Sequence, residues 1–325
     1  MKLQFYIDPE HYPYAYQDNL SFNNGELLTE LGSANTWLLW TLRTYLELKS
    51  HFTCVLVDKM PESGITLFSR GSVNLTQKPK RGQFWVCMVA DGTWHPYSHV
   101  NLFQNKHQIK NNPQSYFIRH WYQIGIIRSV SENKTPVNIY YFGDTNNLAA
   151  ELKSDDWNKF VDANSFKFLL PPVPEWNNYE KADIVLGIRS FEKNNRYDNK
   201  PSSKLINAWR AGVAFIGGQD SAFEDERQSK HDFVSVNSCE DLKKALLKLK
   251  DDPQHYHDLR FQAGICAERF PDAFFVNQWT DLLWRPIEHH YQKAQGISSL
   301  AHHLFIVGRW YLYKSRALAL RLKMR

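Results

Sequence analysis

Strand-like runs alternate with helical runs along the whole chain, and this alternation constrains the fold more than any other feature of the sequence. A first series has strand-like runs at residues 3–7, 52–57 and 84–89, with a helical run at Thr36–Leu48. A second series has strand-like runs at residues 136–142, 166–170, 183–188 and 213–216. Because alternating β and α elements are typical of parallel α/β sheets, each series predicts one such sheet. The length of 325 residues exceeds one ordinary core and also favours two domains.

A polar, turn-rich stretch at residues 129–136 separates the two series. We therefore predict an N-terminal domain at residues 1–133 and a C-terminal domain at residues 134–290. Residues 291–325 place Lys and Arg among large apolar side chains, a pattern that predicts a basic amphipathic helix. This helix has two possible positions: packed back on the N-terminal domain, or attached peripherally to an anionic inner membrane.

The charge balance and the cysteines exclude several classes of function. A net charge of +5 with interspersed signs, and no basic stripe before the C-terminus, argues against a nucleic-acid partner. The cysteines form no CxxC pair and no zinc-type spacing, so no metal site is predicted. They are Cys54, Cys87, Cys239 and Cys266. The N-terminus lacks a signal-peptide core and no apolar run reaches the roughly 20 residues that cross a bilayer, so we expect a cytoplasmic protein.

Residues 199–213, NKPSSKLINAWRAGV, have the features of an anion-binding helix start. Pro201 and two serines precede an apolar-periodic helix that stops at Gly212, which predicts a serine cap and a glycine end. The free N–H groups and partial positive charge of a helix N-terminus favour a diphosphate. Lys204 in the first turn opposes the helix dipole, and a nearby anion would explain it. An ordinary capped helix with a solvent-facing lysine would have the same sequence.

Residues 200–213, KPSSKLINAWRAGV, resemble the donor-binding segment of bacterial GT-B glycosyltransferases, of the family-4-like group that makes polysaccharides. The loop at residues 217–224 and the helix at residues 240–250, followed by Asp-Asp-Pro, resemble the next elements of those enzymes. The similarity covers about the last half of the chain. It implies an α/β GT-B fold, with two Rossmann-like domains facing each other across a cleft and a nucleotide-sugar on the C-terminal one.

The resemblance also implies roles for residues on the donor side. Lys204 and Ser203 would hold the diphosphate, with Arg189 as the second cation, since a guanidinium bridges phosphate oxygens. Asn207 occupies the position of a ribose-binding glutamate. Together with Asn199 it departs from the Glu-x7-Glu pattern of many retaining members, so retention or inversion is left open.

Further loops would complete the donor site. Val173 and Trp176 would contact the base, although a proline-rich turn with a partly buried tryptophan would look the same. The loop at residues 32–35 resembles the N-terminal glycine loop that faces the donor phosphates, with Gly32 and Ser33 at the diphosphate. The side chains expected at the sugar are Asp220, Ser221, Glu224 and Asn35.

The acceptor side offers several acid–base candidates. Asp91 follows a strand, at the end where ligands bind in parallel sheets, and would act on the acceptor hydroxyl. His120 lies in a His-Trp-x-Gln segment that resembles part of a polysaccharide-making subset of these enzymes. His95 and His99 are competitors, and for each histidine a structural role is an alternative.

The predicted function is transfer of a hexose, with glucose as the predicted sugar, from a UDP-sugar to a growing surface polysaccharide or exopolysaccharide. The partners would be the UDP-sugar and a saccharide or lipid-linked saccharide acceptor, without a cofactor or a metal. One alternative is a nucleotide-sugar-binding protein that has lost turnover. Another is a nucleotide-sugar-modifying enzyme, which would require a GxGxxG motif directly after the first strand; the sequence has none there.

Overall fold

The computed structural model describes residues 1–8, 36–110, 114–192 and 195–323. The chain divides into two compact units. Unit 1 consists of Met1–Gln104, Gln108–Ile118 and Val276–Arg325, and unit 2 consists of Asn105–His107 and Arg119–Phe275. Each unit contains its own sheet.

Unit 1 contains a six-stranded sheet in the order β2-β1-β3-β4-β5-β6, and every neighbouring pair is parallel. The strands are β1 (Lys2–Tyr6), β2 (Thr53–Val57), β3 (Gly64–Ser69), β4 (Gln83–Val89), β5 (Val100–Phe103) and β6 (Ser115–Phe117). Strand β4 is buried along its whole length, as expected for a parallel strand covered on both faces.

Unit 2 contains a five-stranded parallel sheet in the order β11-β10-β9-β7-β8. The strands are β7 (Asn138–Tyr140), β8 (Lys167–Leu169), β9 (Ile184–Gly187), β10 (Ala214–Gly217) and β11 (Val234–Ser235). In both sheets the second strand lies on one side of the first strand and the third strand lies on its other side. This reversal of strand order defines a topological switch point in each sheet.

Nine α-helices are present in the described part of the chain. They are α1 (Thr36–Leu48), α2 (Asp155–Ala163), α3 (Ser203–Ala211), α4 (Ser221–Glu226), α5 (Cys239–Asp251), α6 (Pro253–Glu268), α7 (Asp272–Leu282), α8 (Glu288–Ala294) and α9 (Ser299–Lys323). A π-helical turn at Leu283–Ile287, which contains Pro286, joins α7 to α8. Among the described residues, no helix is long and apolar enough to cross a membrane.

The predicted secondary structure is present with ends shifted by one or two residues. All seven predicted strands are strands, and Thr36–Leu48 is a helix as predicted. Strands β3, β5, β6 and β11 were not predicted. Strand β5 has polar Asn101 in its middle, which hides the apolar pattern. Its Oδ1 accepts a hydrogen bond from Ser98 Oγ at 2.7 Å, while its Nδ2 is buried without a hydrogen-bond partner among the described residues.

The division into units differs from the predicted domain boundaries at residues 133/134 and 290/291. Residues 119–133 belong to unit 2, where the Ser129 N–H donates to Ala211 O and Asn133 Nδ2 donates to the buried Asp183 carboxylate. Residues 276–290 belong to unit 1, where Tyr116 Oη lies 2.6 Å from His290 Nε2. The turn-rich composition of residues 129–136 suggested a boundary between domains. The contacts of residues 129–133 place them in unit 2.

Helix α9 packs within unit 1. Arg309 donates from Nε to Pro96 O at 3.0 Å and from Nη2 to Ser98 O at 2.7 Å. The ring of Phe305 stacks on His99 with centroids 4.7 Å apart. These contacts hold one face of α9 on unit 1.

Candidate functional site

The candidate site lies at the carboxyl ends of three adjacent strands of unit 2. In the order β10-β9-β7, these strands lead into the loops that carry Asp220, Arg189 and Gly143. Strands β7 and β9 flank the switch point of this sheet. In open parallel sheets, ligands bind outside the carboxyl ends of the strands at such a point.

Helix α3 is held beside these loops by its apolar face and ends as predicted. Leu205, Ile206 and Trp209 are buried, and Trp209 Nε1 donates to Asp232 O. Gly212 ends the helix with φ 71°, a left-handed conformation that favours glycine. The predicted serine cap is wrong in detail, because Ser202 at the N-cap makes no capping hydrogen bond.

Ser202 instead takes part in a polar network that the sequence did not predict. Its Oγ donates to Glu226 Oε1 at 3.1 Å, and Arg119 binds both oxygens of the same carboxylate at 2.8 and 3.1 Å. Because Glu226 is buried and Arg119 lies 107 residues away, no local pattern identifies this network. It turns the Ser202 hydroxyl away from the first-turn amides of α3.

Lys204 reaches from the first turn of α3 to the loop after β7. Its Nζ donates to Phe142 O and lies 4.5 Å from the centroid of the Tyr141 ring. A Cβ added at Gly143 would collide with Lys204 Nζ and would lie 3.3 Å from Tyr141 Cε1. The absence of a side chain at Gly143 therefore provides the space for the ammonium group. Because this group contacts the loop after β7, the interpretation of Lys204 as a solvent-facing lysine is wrong.

The surroundings of Lys204 favour loss of its proton. The pKa of the ammonium is lowered from 10.5 to about 7, mainly by burial and also by the positive charges of Arg189 and Lys200. The carboxylates of Asp220 and Asp144 act in the opposite direction. A bound phosphate would add negative charge beside Lys204 and would favour its protonated form.

Arg189 and Asp220 form a largely buried ion pair. Arg189 Nε lies 2.8 Å from Asp220 Oδ2, and only 10% of the arginine side chain and 1% of the aspartate side chain are exposed. Burial raises the pKa of Asp220, while Arg189 opposes this shift. The second carboxylate oxygen, Oδ1, is buried without a hydrogen-bond partner among the described residues. Arg189, predicted to bind the diphosphate, and Asp220, predicted to bind the sugar, are thus paired with each other.

The other two predicted sugar ligands in the described chain have different surroundings. Ser221 is fully buried at the start of α4, and its Oγ accepts a hydrogen bond from Asn105 Nδ2 at 3.0 Å. Glu224 is half-exposed and forms a bidentate ion pair with Arg227, at 2.9 and 3.2 Å. Asn105 is a residue that the sequence did not single out; its Nδ2 also lies 2.9 Å from Lys200 O.

Asn207, the predicted ribose ligand, has hydrogen-bond partners within unit 2. It is only 9% exposed, and its Oδ1 accepts a hydrogen bond from the Gln123 N–H at 2.9 Å. Asn207 also forms a hydrogen bond with the Tyr179 side chain. Burial raises the pKa of Tyr179, and this hydrogen bond opposes part of the shift. The Asn207 side chain therefore holds the backbone at Gln123 against α3.

The predicted base-binding loop is a short 3₁₀ turn at Val173–Glu175. Val173 and Trp176 are both partly buried, and Trp176 Nε1 donates to Pro171 O at 3.1 Å within the same loop. Ser203 is the first residue of α3 and is partly exposed. These positions keep all three residues near strand ends of unit 2.

The acceptor-side candidates fall in both units. Asp91 in unit 1 is exposed after β4, and its Oδ1 accepts a hydrogen bond from Gln104 Nε2 at 2.5 Å. His120 in unit 2 is partly buried, with Nδ1 2.8 Å from Trp121 O. Gly32, Ser33 and Asn35 lie outside the described residues.

The competing histidines have structural roles. Burial lowers the pKa of His95 to about 4 and that of His99 to about 3. His99 Nδ1 accepts a hydrogen bond from the Trp85 N–H, and its ring stacks on Phe84. Both imidazole rings are therefore neutral near pH 7 and already have partners in the protein interior. Such rings are poor acid–base catalysts at this pH.

The described residues contain no group of three or more His, Cys, Asp or Glu side chains placed to hold a metal ion. The cations of the candidate site are protein side chains, Lys204 and Arg189. Arg189 is close enough for its charge to lower the pKa of Lys204. Together they offer positive charge at a switch point, beside the first turn of a helix.

Comparison with solved structures gives the fold of the chain. The structure resembles a mutant of S. aureus TarM in complex with fondaparinux, alpha-GlcNAc-glycerol and UDP, with a TM-score of 0.51 and 10% identity. The match covers 75% of this chain and 58% of the TarM chain, so the chain spans less than two thirds of that protein.

Two further solved structures are similar at lower scores. HepE from Anabaena, in complex with UDP and glucose, has a TM-score of 0.47 and 9% identity, over 87% of this chain and 99% of that chain. AviGT4, a glycosyltransferase involved in avilamycin A biosynthesis, has a TM-score of 0.47 and 10% identity, over 88% and 98%. No family model matches the sequence, and no curated protein matches it.

The predicted fold class is confirmed by the two parallel sheets and by the structural likeness to TarM. The chain has a mixed α/β GT-B fold with two Rossmann-like units. At 10% identity this likeness describes the fold. A shared fold does not determine an activity, which depends on the residues of the site.

Proposed function

We propose that the protein is a glycosyltransferase that binds a UDP-sugar on unit 2 and transfers the sugar to a saccharide acceptor. One observation carries the proposal: Lys204 and Arg189 lie together at the switch point of the unit 2 sheet, beside the start of α3. Two cations with a helix N-terminus form a suitable environment for a diphosphate. The TarM structure that shares the fold contains UDP and saccharides, which supports this choice of ligands.

The finer assignments rest on the sequence resemblance. We propose glucose as the transferred hexose and a growing surface polysaccharide or exopolysaccharide, free or lipid-linked, as the acceptor. A cytoplasmic location would give access to the nucleotide-sugar. A thermal-shift screen with UDP-, GDP-, dTDP- and ADP-sugars tests the donor, since saturation at 100 times the dissociation constant adds about 2.7 kcal/mol of stability.

We propose that transfer is independent of metal ions and needs no cofactor. Lys204, Arg189 and the first turn of α3 would neutralise the leaving diphosphate, a role that divalent cations have in other transferases. Activity should be unchanged after EDTA treatment. Activity that disappears with EDTA and returns with manganese would contradict this part of the proposal.

The central experiment measures UDP affinity by calorimetry for the full chain and its Lys204→Ala variant. A charged hydrogen bond to phosphate contributes about 1.5–3 kcal/mol, so affinity should fall by about ten- to a hundred-fold. Lys230→Ala is the matched control, because Lys230 is exposed elsewhere in unit 2. Equal UDP affinity of the folded Lys204→Ala protein and the wild type would refute the assignment of the diphosphate site.

A second candidate function is nucleotide-sugar binding without transfer. It is favoured by Asn207, which replaces the usual glutamate and is engaged by the Gln123 N–H. Release of sugar from a radiolabelled UDP-sugar in the presence of saccharide acceptors separates the two functions. Stoichiometric binding without release would favour the binding protein.

A further inference from the structure

The outward face of helix α9 carries large apolar side chains that are exposed. The exposed fractions are 68% for Leu300, 60% for Leu304, 64% for Tyr311 and 59% for Leu318. At 100° per residue these four positions fall within an arc of about 40° around the helix axis. We call them the α9 stripe. Large apolar side chains that are exposed singly are ordinary, but an aligned row of them marks an interaction surface.

The opposite face of α9 accounts for its packing on unit 1. Arg309 lies half a turn away from the α9 stripe, is only 6% exposed, and donates to two carbonyl oxygens of the loop at residues 96–98. Its guanidinium also lies 4.5 Å from the Trp94 ring. The helix therefore turns an arginine inward and leucines outward. The core of unit 1 does not explain the α9 stripe.

The charge around the α9 stripe indicates what covers it. Residues 289–325 contain no Asp or Glu, whereas Lys or Arg occurs at positions 293, 309, 314, 316, 321, 323 and 325. Lys314 is exposed, and Trp310, 42% exposed, lies beside Tyr311 with ring centroids 5.0 Å apart. Arg309 and Arg316 lie against the Trp94 ring, on the inward side of the helix. Exposed leucines with a neighbouring exposed lysine and a Trp–Tyr pair, in a segment without acidic residues, form the composition that lies in membrane interfaces.

We propose that the α9 stripe docks in the plane of an anionic lipid bilayer surface. Leucine side chains and the Tyr311 ring would enter the headgroup boundary, and Lys314 would contact lipid phosphates. A second copy of the chain fits this surface less well. A symmetric contact would bring two segments with only basic charge against each other.

The test is vesicle flotation of the full chain. The vesicles contain phosphatidylcholine alone, or phosphatidylcholine with about one third phosphatidylglycerol, which supplies the negative surface potential. We expect binding to the anionic vesicles, weaker binding at high salt, and little binding to pure phosphatidylcholine. Absence of binding to anionic vesicles would overturn the proposal.

Variants identify the surface. The triple variant Leu300→Ser, Leu304→Ser, Leu318→Ser should lose more than about a hundredfold in partitioning, since each buried leucine contributes about tenfold. Lys314→Glu should lose about tenfold on anionic vesicles. Phe261→Ser is the matched control, because Phe261 is 74% exposed in unit 2, and its partitioning should equal that of the wild type.

Two outcomes would point to another occupant. Equal partitioning of the triple variant and the wild type would exclude the α9 stripe as the lipid-binding surface. A dimer in sedimentation analysis that the triple variant abolishes, without vesicle binding, would assign the stripe to a second copy. UDP affinity should be unchanged in every variant, so failure of the lipid proposal and failure of the proposed function remain distinguishable.

Discussion

Arg189 Nε lies 2.8 Å from Asp220 Oδ2, and this ion pair joins the loops that follow two neighbouring strands, β9 and β10. Both side chains are largely buried, so each needs the charge of the other. The pair also determines how the candidate site is charged. Arg189 lowers the pKa of Lys204, and Asp220 raises it.

Asp220→Ala should destabilise the protein by about 3–5 kcal/mol, because it leaves the largely buried Arg189 without its partner. Urea unfolding measures the change. Asp258→Ala is the control in the same unit, since Asp258 is exposed on α6, and its effect should stay within about 0.5 kcal/mol. Similar small effects in both variants would show that the ion pair is not a stabilising element.

Gly143→Ala should weaken UDP binding about as much as Lys204→Ala does, while the fold is retained. The added methyl group would collide with the end of the flexible Lys204 side chain, which can move aside. Calorimetry on the two single variants and the double variant measures the coupling. If Gly143 acts through Lys204, the double variant binds UDP no more weakly than Lys204→Ala alone. Additive losses would contradict that coupling.

UDP affinity should fall as pH rises from 7 to 9. With a pKa of about 7, Lys204 loses its proton over this range and has to regain it to pair with a diphosphate. Calorimetry at pH 8 in two buffers of different ionisation enthalpy should detect proton uptake on binding. Lys204→Met should abolish that uptake; uptake that persists in this variant would assign the proton to another group.

The stability of the free protein should have the opposite pH dependence. The pKa of Lys204 is about 7 in the folded state, against an ordinary value of 10.5. Between these values the unfolded chain binds more protons, so the free energy of unfolding rises with pH in this window. Lys204→Met should remove this rise, and urea unfolding at pH 7 and pH 9 checks it. An equal rise in both proteins would show that Lys204 is not its source.

Asp91→Asn should lower the transfer rate by about 10²–10⁴-fold and leave UDP affinity intact, if Asp91 acts at the acceptor hydroxyl. The asparagine preserves an acceptor oxygen for Gln104 Nε2, so the fold should be unaffected. Initial rates and UDP calorimetry on the same preparation measure both quantities. Unchanged turnover with reduced stability would indicate a turn residue and move attention to His120.

Local sequence determined many of the helices and strands of this protein and the position of its candidate anion-binding segment. Apolar runs a few residues long predicted seven strands, because burial in a parallel sheet requires nearly continuous apolar side chains. Pro201 and Gly212 predicted where α3 begins and ends, because φ of proline and the left-handed freedom of glycine are properties of single residues. Strands β7 and β9, which flank the switch point of the unit 2 sheet, were therefore recognisable from the chain alone, whereas β3 beside the switch point of the unit 1 sheet was not.

Only the tertiary structure decided what the polar side chains of the site contact. Lys204 pairs with Phe142 O across 62 residues, and Ser202 pairs with Glu226 across 24. Asn207 accepts from the Gln123 N–H across 84 residues. Parallel strands bring loops together that are far apart in sequence, and buried polar groups bond to whatever those loops present. Local pattern does not contain that information, so neither the Ser202–Glu226 hydrogen bond nor the partner of Asn207 was predicted.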